Sequence, residues 1–194
     1  MKSTLLAAAL ATAASAAFAA PETYVLNASH SQVLFDYNHF GMSTTYGMFS
    51  GFEGQITFDA ENPAASSVTV TMPVQSMLTG WEPRFEHFMS PDFFGADDGD
   101  MVTFTSTGIE VTGEKTALIT GDLTLNGVTK PVVLDANLNQ IMAEYPAPPY
   151  QGKKAAGFDA TATIIRSEFN LGMFTPYVSD EISLKISIEA IKAD

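Results

Sequence analysis

Residues 182–189 read Ile-Ser-Leu-Lys-Ile-Ser-Ile-Glu, and this stretch alternates apolar and polar side chains without a break. A period of two places the apolar side chains on one face of an extended strand and the polar side chains on the other face. The same alternation recurs in segments rich in β-branched and aromatic residues. These segments are residues 32–39, 55–58, 67–72 and 101–105. The sequence therefore predicts an all-β protein whose strands each have one buried and one hydrated face.

Short turn motifs separate the predicted strands. Asn126-Gly127 follows an apolar run and precedes another, and this dipeptide favours a type I′ hairpin because both central residues need a positive φ. Residues 112–115 predict a second hairpin, and residues 61–63 predict a further turn. About eight to ten strands joined by short turns form an antiparallel sheet, and closing that sheet into a barrel removes its exposed edges.

One segment departs from the alternation. Residues 82–90 place Pro83 at the first helical position, and Pro91 ends the segment. Its apolar side chains recur at helical spacing, which predicts a short helix packed against the sheet. These side chains are Phe85, Phe88 and Met89. Residues 143–152 (AEYPAPPYQG) are rich in proline and predict a loop between strands.

The N-terminal segment has the features of a secretory leader. Lys2 supplies a positive charge, residues 5–14 are apolar, and Ala17-Phe18-Ala19 matches a small-x-small cleavage site. The apolar run is too short to cross the ~30 Å hydrocarbon core of a bilayer. We therefore predict a signal peptide over residues 1–19, one barrel domain over residues 20–194, and a periplasmic location.

The composition excludes several classes of function. Asp and Glu number 22 against 9 Lys and Arg, and the resulting formal charge of −13 disfavours binding to nucleic acid phosphates. The chain contains no cysteine, which excludes disulfides, thiolate metal sites and a cysteine nucleophile. A hydrophobic fraction of 46% is too high for a disordered chain.

The polar residues do not form a recognisable catalytic or metal-binding set. His30 and His39 are roughly 30 Å apart along an extended strand, so these two and His87 do not predict a zinc site. The acidic residues 97–100 resemble part of a calcium loop, but its twelfth position is Gly108 and not glutamate. No G-x-S-x-G nucleophile motif occurs. The sequence therefore predicts a protein that is not an enzyme and has no metal.

The chain has a surplus of soft apolar side chains, with 14 phenylalanines and 9 methionines. A small eight-stranded barrel has an interior just large enough to be filled by side chains or to hold one small ligand. Methionine and phenylalanine suit a solid core as well as a flexible ligand, so composition leaves both interpretations open. Arg84, Glu86 and His87 on the predicted helix also have two interpretations, as polar contacts at a pocket rim or as ion pairs with the barrel.

A series of short blocks in chain order resembles the YceI family of bacterial periplasmic lipid-binding proteins. The blocks are residues 24–31 (YVLNASHS), 33–35 (VLF), 39–41 (HFG), 47–49 (GMF), 52–54 (FEG), 84–94 (RFEHFMSPDFF), 102–107 (VTFTST), 121–132 (GDLTLNGVTKPV), 166–169 (RSEF) and 188–190 (IEA). Each block alone is weakly specific, but their order over residues 24–190 identifies the resemblance. Asn27 and Phe85 depart from it, since the family usually has aspartate at both positions, and Phe88 replaces a typical leucine.

The resemblance implies a fold and a function. The family fold is an extended antiparallel eight-stranded lipocalin-like β-barrel with a short helix and a long apolar tunnel. The implied ligand is a polyisoprenoid, an isoprenoid quinone or a fatty amide, which the protein sequesters or carries without chemistry and without a cofactor. The side chains expected to bind it are Phe35, His39, Phe40, Phe49, Phe52, Trp81, Arg84, Phe85, Phe88, Met89, Phe94 and Phe104.

Two other interpretations are kept beside this one. A filled barrel could dock an envelope partner or a cytochrome b561-like redox partner through its acidic surface, and it would have no internal cavity. A hydrolase or isomerase acting on a bound lipid would need a catalytic set that the sequence does not provide. The resemblance also implies a transient contact with the membrane or a membrane protein, and a homodimer, as partners to test.

Overall fold

The computed structural model describes residues 20–194, and the predicted signal peptide, residues 1–19, lies outside the described residues. The described chain consists almost entirely of antiparallel strands. The strands are β1 (Glu22–Leu26), β2 (Gln32–His39), β3 (Ser43–Phe49), β4 (Glu53–Phe58), β5 (Ser67–Pro73), β6 (Met77–Leu78), β7 (Met101–Val111), β8 (Thr116–Leu125), β9 (Val128–Met142), β10 (Ala155–Ile165) and β11 (Glu181–Lys192). Helix α1 spans Glu82–Met89.

Eight of these strands form a closed ring. Going around it, the order is β1, β4, β5, β7, β8, β9, β10 and β11, and β11 pairs with β1 to close the barrel. The closing pairs run from Tyr24 opposite Lys192 to Leu26 opposite Ala190. The predicted antiparallel eight-stranded β-barrel with a short helix is therefore confirmed.

The two ends of the barrel differ because β11 has two successive partners along one edge. Its C-terminal half pairs with β1, whereas residues 183–187 pair with β2, which in turn pairs with β3. A turn at Ala28–His30 separates β1 from β2. We call the part enclosed by β1 and β4 the lower half and the part that contains β2, β3 and β6 the upper half. In the described chain β6 pairs with β3 alone, so the upper half lacks a strand between β6 and β7.

The side chain of Asn27 fixes the turn between β1 and β2. Its carbonyl oxygen accepts a hydrogen bond from the backbone N–H of Ser29, and its amide donates to Glu189 Oε1 over 2.6 Å. An aspartate at this position could not donate to a carboxylate at neutral pH. The departure from the family pattern at Asn27 therefore fits the presence of Glu189 across the turn.

Helix α1 covers the gap in the upper half. It has Pro83 in its first turn and ends at Met89, close to the predicted limits. Phe85, Phe88 and Met89 pack against a buried cluster of the upper half. The helix has eight residues, and among residues 20–194 no helix is long and apolar enough to cross a bilayer.

Turns and bulges set which side chains face the interior. Asn126 and Gly127 have φ values of 50° and 71°, as the predicted type I′ hairpin requires. A bulge between Ser106 and Gly108 shifts the β7–β8 register by one residue. As a result Phe104 and Ile109, which are an odd number of residues apart, both face the inside of the barrel.

Candidate ligand-binding tunnel

The barrel encloses two cavities. The upper cavity has a volume of about 740 Å³ and lies beneath α1, and the lower cavity has a volume of about 230 Å³ and lies inside the closed ring. Leu184 on β11 lines both of them, so the two cavities adjoin at this side chain, and we call them together the tunnel. The upper cavity falls in the ~300–1,000 Å³ range that is typical of small-molecule sites, whereas the lower cavity alone falls below it. The filled-barrel interpretation predicts an interior without a cavity, which the structure does not match.

The wall of the lower cavity is formed mainly by aliphatic side chains that alternate along the strands. Members from β7, β8, β9 and β11 are Val102, Ile109, Ile119, Leu123, Val132, Leu134, Leu138, Ile186 and Ile188. Space arises because three adjacent strands present alanine at the same level. Ala117 lies opposite Ala136, and Ala136 lies opposite Ala160, and all three line the cavity. Exposed Glu114, Lys115 and Asp159 border it.

Aromatic rings shape the lower cavity where the small residues do not. Phe58 and Phe158 meet edge to face with ring centroids 6.0 Å apart, and both line it. The ring of Phe104 covers Gly121, where an added β-carbon would lie 2.3 Å from Cζ of that ring. Phe104 therefore lies flat against β8, and only a glycine on that strand leaves room for it.

The upper cavity is lined by aromatic side chains together with cationic and hydroxyl groups. The aromatic members are Phe35, Tyr37, Phe40, Phe49, Trp81, Phe88, Phe93, Phe94 and Phe174. The polar members are His39, Ser43, Thr45, Arg84, His87 and Arg166. Because the cavity lies where α1 and residues 166–178 replace regular strands, its wall contains side chains that a closed ring of alternating strands would not supply.

The rim of the upper cavity is aromatic and exposed. Phe40 is 52% exposed, has a φ of 55°, and stacks on Tyr177 with centroids 5.7 Å apart. Trp81 is 61% exposed, and the guanidinium carbon of Arg84 lies 5.8 Å from its ring centroid. Exposed aromatic side chains beside a cavity of this size are suited to contact the part of a ligand that remains outside the tunnel.

The polar side chains of α1 lie at the rim and not in the barrel wall. Arg84 Nη1 donates to the carbonyl oxygen of Thr79 over 2.9 Å, and His87 Nε2 lies 3.2 Å from Asp92 Oδ2. Both Arg84 and His87 line the upper cavity, whereas Glu86 is exposed. Of the two sequence interpretations, the structure favours polar contacts at a pocket rim.

Arg166 is a buried cation in the upper cavity wall. It is 5% exposed and donates from Nε to the carbonyl of Ser179 over 2.8 Å and from Nη2 to that of Val178 over 2.9 Å. Nη1 donates to the carbonyl of Leu171, and Nη2 also donates to the hydroxyl of Thr175. Arg166 therefore holds residues 171–179 in place, and this segment forms one side of the cavity.

Burial lowers the pKa of the Arg166 guanidinium, and the nearby carboxylate of Asp180 opposes that shift. Arginine stays protonated in proteins, so the cavity wall contains a positive charge whose hydrogen bonds go to neutral oxygens. This charge favours a ligand group with partial or full negative charge in the upper cavity.

A second polar network ties the strands together at the lower end. Glu22 accepts hydrogen bonds from Lys154 Nζ, from Lys192 Nζ over 2.7 Å and from the hydroxyl of Tyr24 over 2.9 Å. The hydrogen bonds from Lys154 and Lys192 lower the pKa of Glu22 to about 2. Burial, followed by the hydrogen bond to Glu22, raises the pKa of Tyr24. The network connects β1, β10 and β11 where the ring closes.

The three histidines do not converge. His30 Nδ1 lies 3.8 Å from Glu189 Oε1 at the turn after β1, whereas His39 and His87 line the upper cavity. Within residues 20–194, no group of three or more His, Asp or Glu side chains is placed to hold a metal ion.

Ten of the twelve residues expected to bind the ligand line the tunnel. Phe52 and Phe104 line the lower cavity. The residues that line the upper cavity are Phe35, His39, Phe40, Phe49, Trp81, Arg84, Phe88 and Phe94. Phe85 and Met89 instead pack in the core between α1 and the sheet. Whether the ten contact a ligand stays a prediction.

The sequence analysis missed two groups of lining residues. Arg166 lies in the block 166–169 that carried the resemblance but was not expected at the site, and Phe174 lies in an irregular segment that no periodic signal marks. The alanines of the lower cavity carry no signal by themselves, because their effect depends on the register of β8, β9 and β10. The alternation of residues 158–164 could have placed Ala160 on an inward face.

Comparisons with known proteins agree with this geometry. Residues 24–190 match the model of the YceI-like domain. The UPF0312 protein of Ectopseudomonas mendocina is 42% identical over 163 residues, which are 84% of this chain and 83% of the relative. The crystal structure of Burkholderia cenocepacia BcnA superposes with a TM-score of 0.74 at 26% identity, over 84% of this chain and 98% of that one.

A more distant structure shares the fold alone. A polyisoprenoid binding domain from Saccharophagus degradans, implicated in plant cell wall breakdown, superposes with a TM-score of 0.65 at 13% identity. The superposition covers 88% of this chain and 98% of that domain.

Proposed function

The chain belongs to the family of proteins with a YceI-like domain, and we propose that it binds one long-chain amphiphile in the tunnel without making or breaking a bond. The apolar tail lies along the tunnel and the head group lies at the upper rim. The observation that carries this proposal is that the upper and lower cavities adjoin at Leu184, so that apolar side chains line the interior from the upper rim to the lower half of the barrel.

The chemistry of the two cavities supports this orientation. The lower cavity offers aliphatic walls that suit a tail, and each Å² of apolar surface that it removes from water contributes ~25 cal/mol. The upper cavity offers Arg84, His39 and the buried Arg166, which suit a carbonyl, amide or phosphate oxygen. Polar groups of this kind fix orientation and specificity, while the tail supplies most of the affinity.

We propose a polyisoprenoid, an isoprenoid quinone or a fatty amide as the ligand class. The polyisoprenoid-binding domain with the same fold supports the first of these. We also propose a periplasmic location, which the leader-like features of residues 1–19 support, and a carrier that exchanges lipid with the membrane fits that location. A homodimer and a cytochrome b561-like partner stay predictions.

The experiment is to purify the protein from its native compartment without detergent, extract total lipid and identify it by mass spectrometry. Two neighbouring threonines on β3 give a matched pair of variants, because Thr45 lines the upper cavity and Thr44 is exposed on the opposite face. We expect lipid with the wild type and with Thr44→Trp, and at least tenfold less lipid with Thr45→Trp.

Two results would contradict binding of lipid in the tunnel. A wild-type protein that contains no lipid and does not take up added prenyl quinones would overturn the proposal. Equal lipid content in Thr45→Trp and Thr44→Trp would show that the lipid binds outside the tunnel.

A further inference from the structure

The tunnel has a constriction between its two cavities. Met72 on β5 and Leu184 on β11 each pack against all three buried clusters of the barrel, one in the lower half and two that reach into the upper half. Both side chains are only half-buried, because they also border cavity space. Leu184 lines the upper and the lower cavity, so a ligand that occupies both must pass its side chain.

The passage beside Leu184 has one wide side and one narrow side. On β2, Leu184 lies opposite Phe35, whose large ring lines the upper cavity. On β10, it lies opposite Ala162. Ala162 shares the inward face of β10, since Ala160 and Ile164 on either side of it line the lower and upper cavities. The small side chain of Ala162 therefore leaves the gap through which a tail can pass.

Because the two cavities differ in volume, the constriction affects ligands with long tails and not ligands with short tails. The upper cavity, about 740 Å³, is large enough to hold a ligand alone, whereas the lower cavity, about 230 Å³, serves only as an extension of it. A ligand with a short tail can be buried entirely above Leu184. A ligand with a long tail gains from the lower cavity only after it displaces or passes the Leu184 side chain.

We infer that Leu184, with Met72 and Ala162, determines which tail lengths the protein selects. This inference rests on the proposed function and deepens it. The three residues act as a length-dependent filter: tails that stop above Leu184 do not sense it, and tails that continue must pass beside Leu184 over the small side chain of Ala162. The residues are specificity-determining and do not contact the head group.

The affinity should therefore depend on tail length in two phases. Each methylene that enters an apolar cavity raises the affinity about fourfold, which corresponds to ~0.8 kcal/mol. This rise should flatten where the tail reaches Leu184 and resume once the tail enters the lower cavity. A tunnel without a constriction would give one continuous rise followed by a plateau.

The test uses benzoquinones that carry one to ten isoprene units. Quinones quench tryptophan fluorescence, and Trp81, the single tryptophan, lines the upper cavity at its rim. Titration of Trp81 fluorescence therefore gives the dissociation constant for each tail length. For the wild type, we expect the affinity to rise with tail length, to level off where the tail reaches Leu184, and then to rise again. We call this levelling the break.

Four variants locate the break. Leu184→Ala should remove it and raise the affinity for the longest tails about tenfold. Leu184→Phe should leave the shortest tails within about twofold of wild type and weaken the longest tails at least tenfold. Ala162→Leu, which narrows the passage from the neighbouring strand β10, should reproduce Leu184→Phe. Ile186→Ala is the matched control, because Ile186 lines only the lower cavity, and it should leave the break at the same length.

The possible results separate the two proposals. If the wild type contains no lipid after purification and no quinone quenches Trp81, the proposed function fails and this inference fails with it. If the wild type binds but Leu184→Phe and Ala162→Leu weaken all tail lengths equally, or change none, the proposed function stands and the inference is overturned. A break that moves with Ile186→Ala and not with Leu184→Ala also overturns it. If one of these two variants does not fold, the dependence of affinity on tail length in the other variant decides the outcome.

Discussion

The two halves of the barrel differ in how their walls are built. In the lower half eight strands are each hydrogen-bonded to two neighbours, and the cavity wall consists of side chains that alternate along those strands. In the upper half the ring is interrupted between β6 and β7, and α1 and residues 166–178 complete the wall. The upper cavity is about 740 Å³, and the lower cavity is about 230 Å³.

In the function that we propose, the lower half binds the tail and the upper half contacts the head group, and the difference between their walls fits these two roles. A closed ladder uses its backbone N–H and C=O groups internally, so its inner wall offers a ligand little except apolar side chains. Where strands stop, loop carbonyls need partners and polar side chains are drawn in to bond them, as Arg166 is. The long apolar wall of the tunnel therefore comes from the lower half, where the strands are regular. The polar side chains come from the upper half, where the strands are interrupted.

The largest effect on stability should come from disturbing the closed ring. Gly54 on β4 has a φ of 154°, and an added β-carbon there would lie 2.2 Å from the backbone carbonyl oxygen of Thr69 on β5. Because both strands belong to the ring, neither backbone can shift without breaking the ladder. We expect Gly54→Ala to lower the free energy of unfolding by ~3 kcal/mol or more, measured by urea denaturation.

Gly108 provides the control for this prediction. It lies at the bulge on β7, and an added β-carbon would have no atom within 4 Å. Gly108→Ala should change the free energy of unfolding by less than ~0.5 kcal/mol. Equal stability of the two variants would show that the ring is not as rigid as the structure implies.

The next largest effect on stability should come from a change in the upper half. Arg166→Met removes a cation that donates to the carbonyls of Leu171, Val178 and Ser179, and these oxygens would then be buried without a partner. We expect a loss of ~2 to 3 kcal/mol in urea denaturation, together with weaker quenching of Trp81 by short-tailed quinones. Arg166→Lys should restore part of both. A methionine variant as stable as wild type would mean that residues 171–179 are held by packing alone.

The network at the lower end should make stability depend on pH. Lys154 and Lys192 lower the pKa of Glu22 from 4.5 to about 2, so its carboxylate stabilises the folded state fully above the unfolded pKa. That contribution is lost as the pH falls from about 5 towards 2, because protonation then breaks the hydrogen bonds. Since Glu22 is partly exposed, we expect the effect to be on the order of 1 to 2 kcal/mol.

The measurement is the difference in free energy of unfolding between wild type and Glu22→Gln at pH 7, 5, 4 and 3. The wild type should be more stable at neutral pH, and the difference should shrink over the acidic range. If the difference in free energy of unfolding stays constant over this pH range, Glu22 stabilises the fold through its packing and not through its charge.

The lower half of the barrel, with its regular strands, could be predicted from the sequence better than the upper half. The alternation of residues 182–189 placed β11 correctly, and Asn126-Gly127 placed a hairpin, because both signals depend on neighbours along the chain. The turn at Ala28–His30 that separates β1 from β2 was not predicted. It depends on contacts such as that between Asn27 and Glu189, which are far apart in sequence.

The candidate site divides in the same way. Aromatic residues in the blocks at 33–54 and 84–94 were expected at the tunnel, and most of them line it. The cavity itself could not be predicted, because its volume depends on which side chains meet across the barrel. Ala117, Ala136 and Ala160 are distant in sequence and create space only because the strand registers align them.

The smallest effect should come from filling that space. Ala136→Leu adds three carbons to the middle of the alanine row, where they face the lower cavity and not a packed core. We expect the unliganded protein to gain about 1 kcal/mol in free energy of unfolding, because new apolar contacts form without displacing others. The same change should weaken the longest prenyl quinones and spare the shortest. Val133→Leu, on the exposed face of the same strand, should change neither property. Loss of stability in Ala136→Leu would mean that the lower cavity is narrower than its lining residues indicate, and long tails would then have to end in the upper cavity.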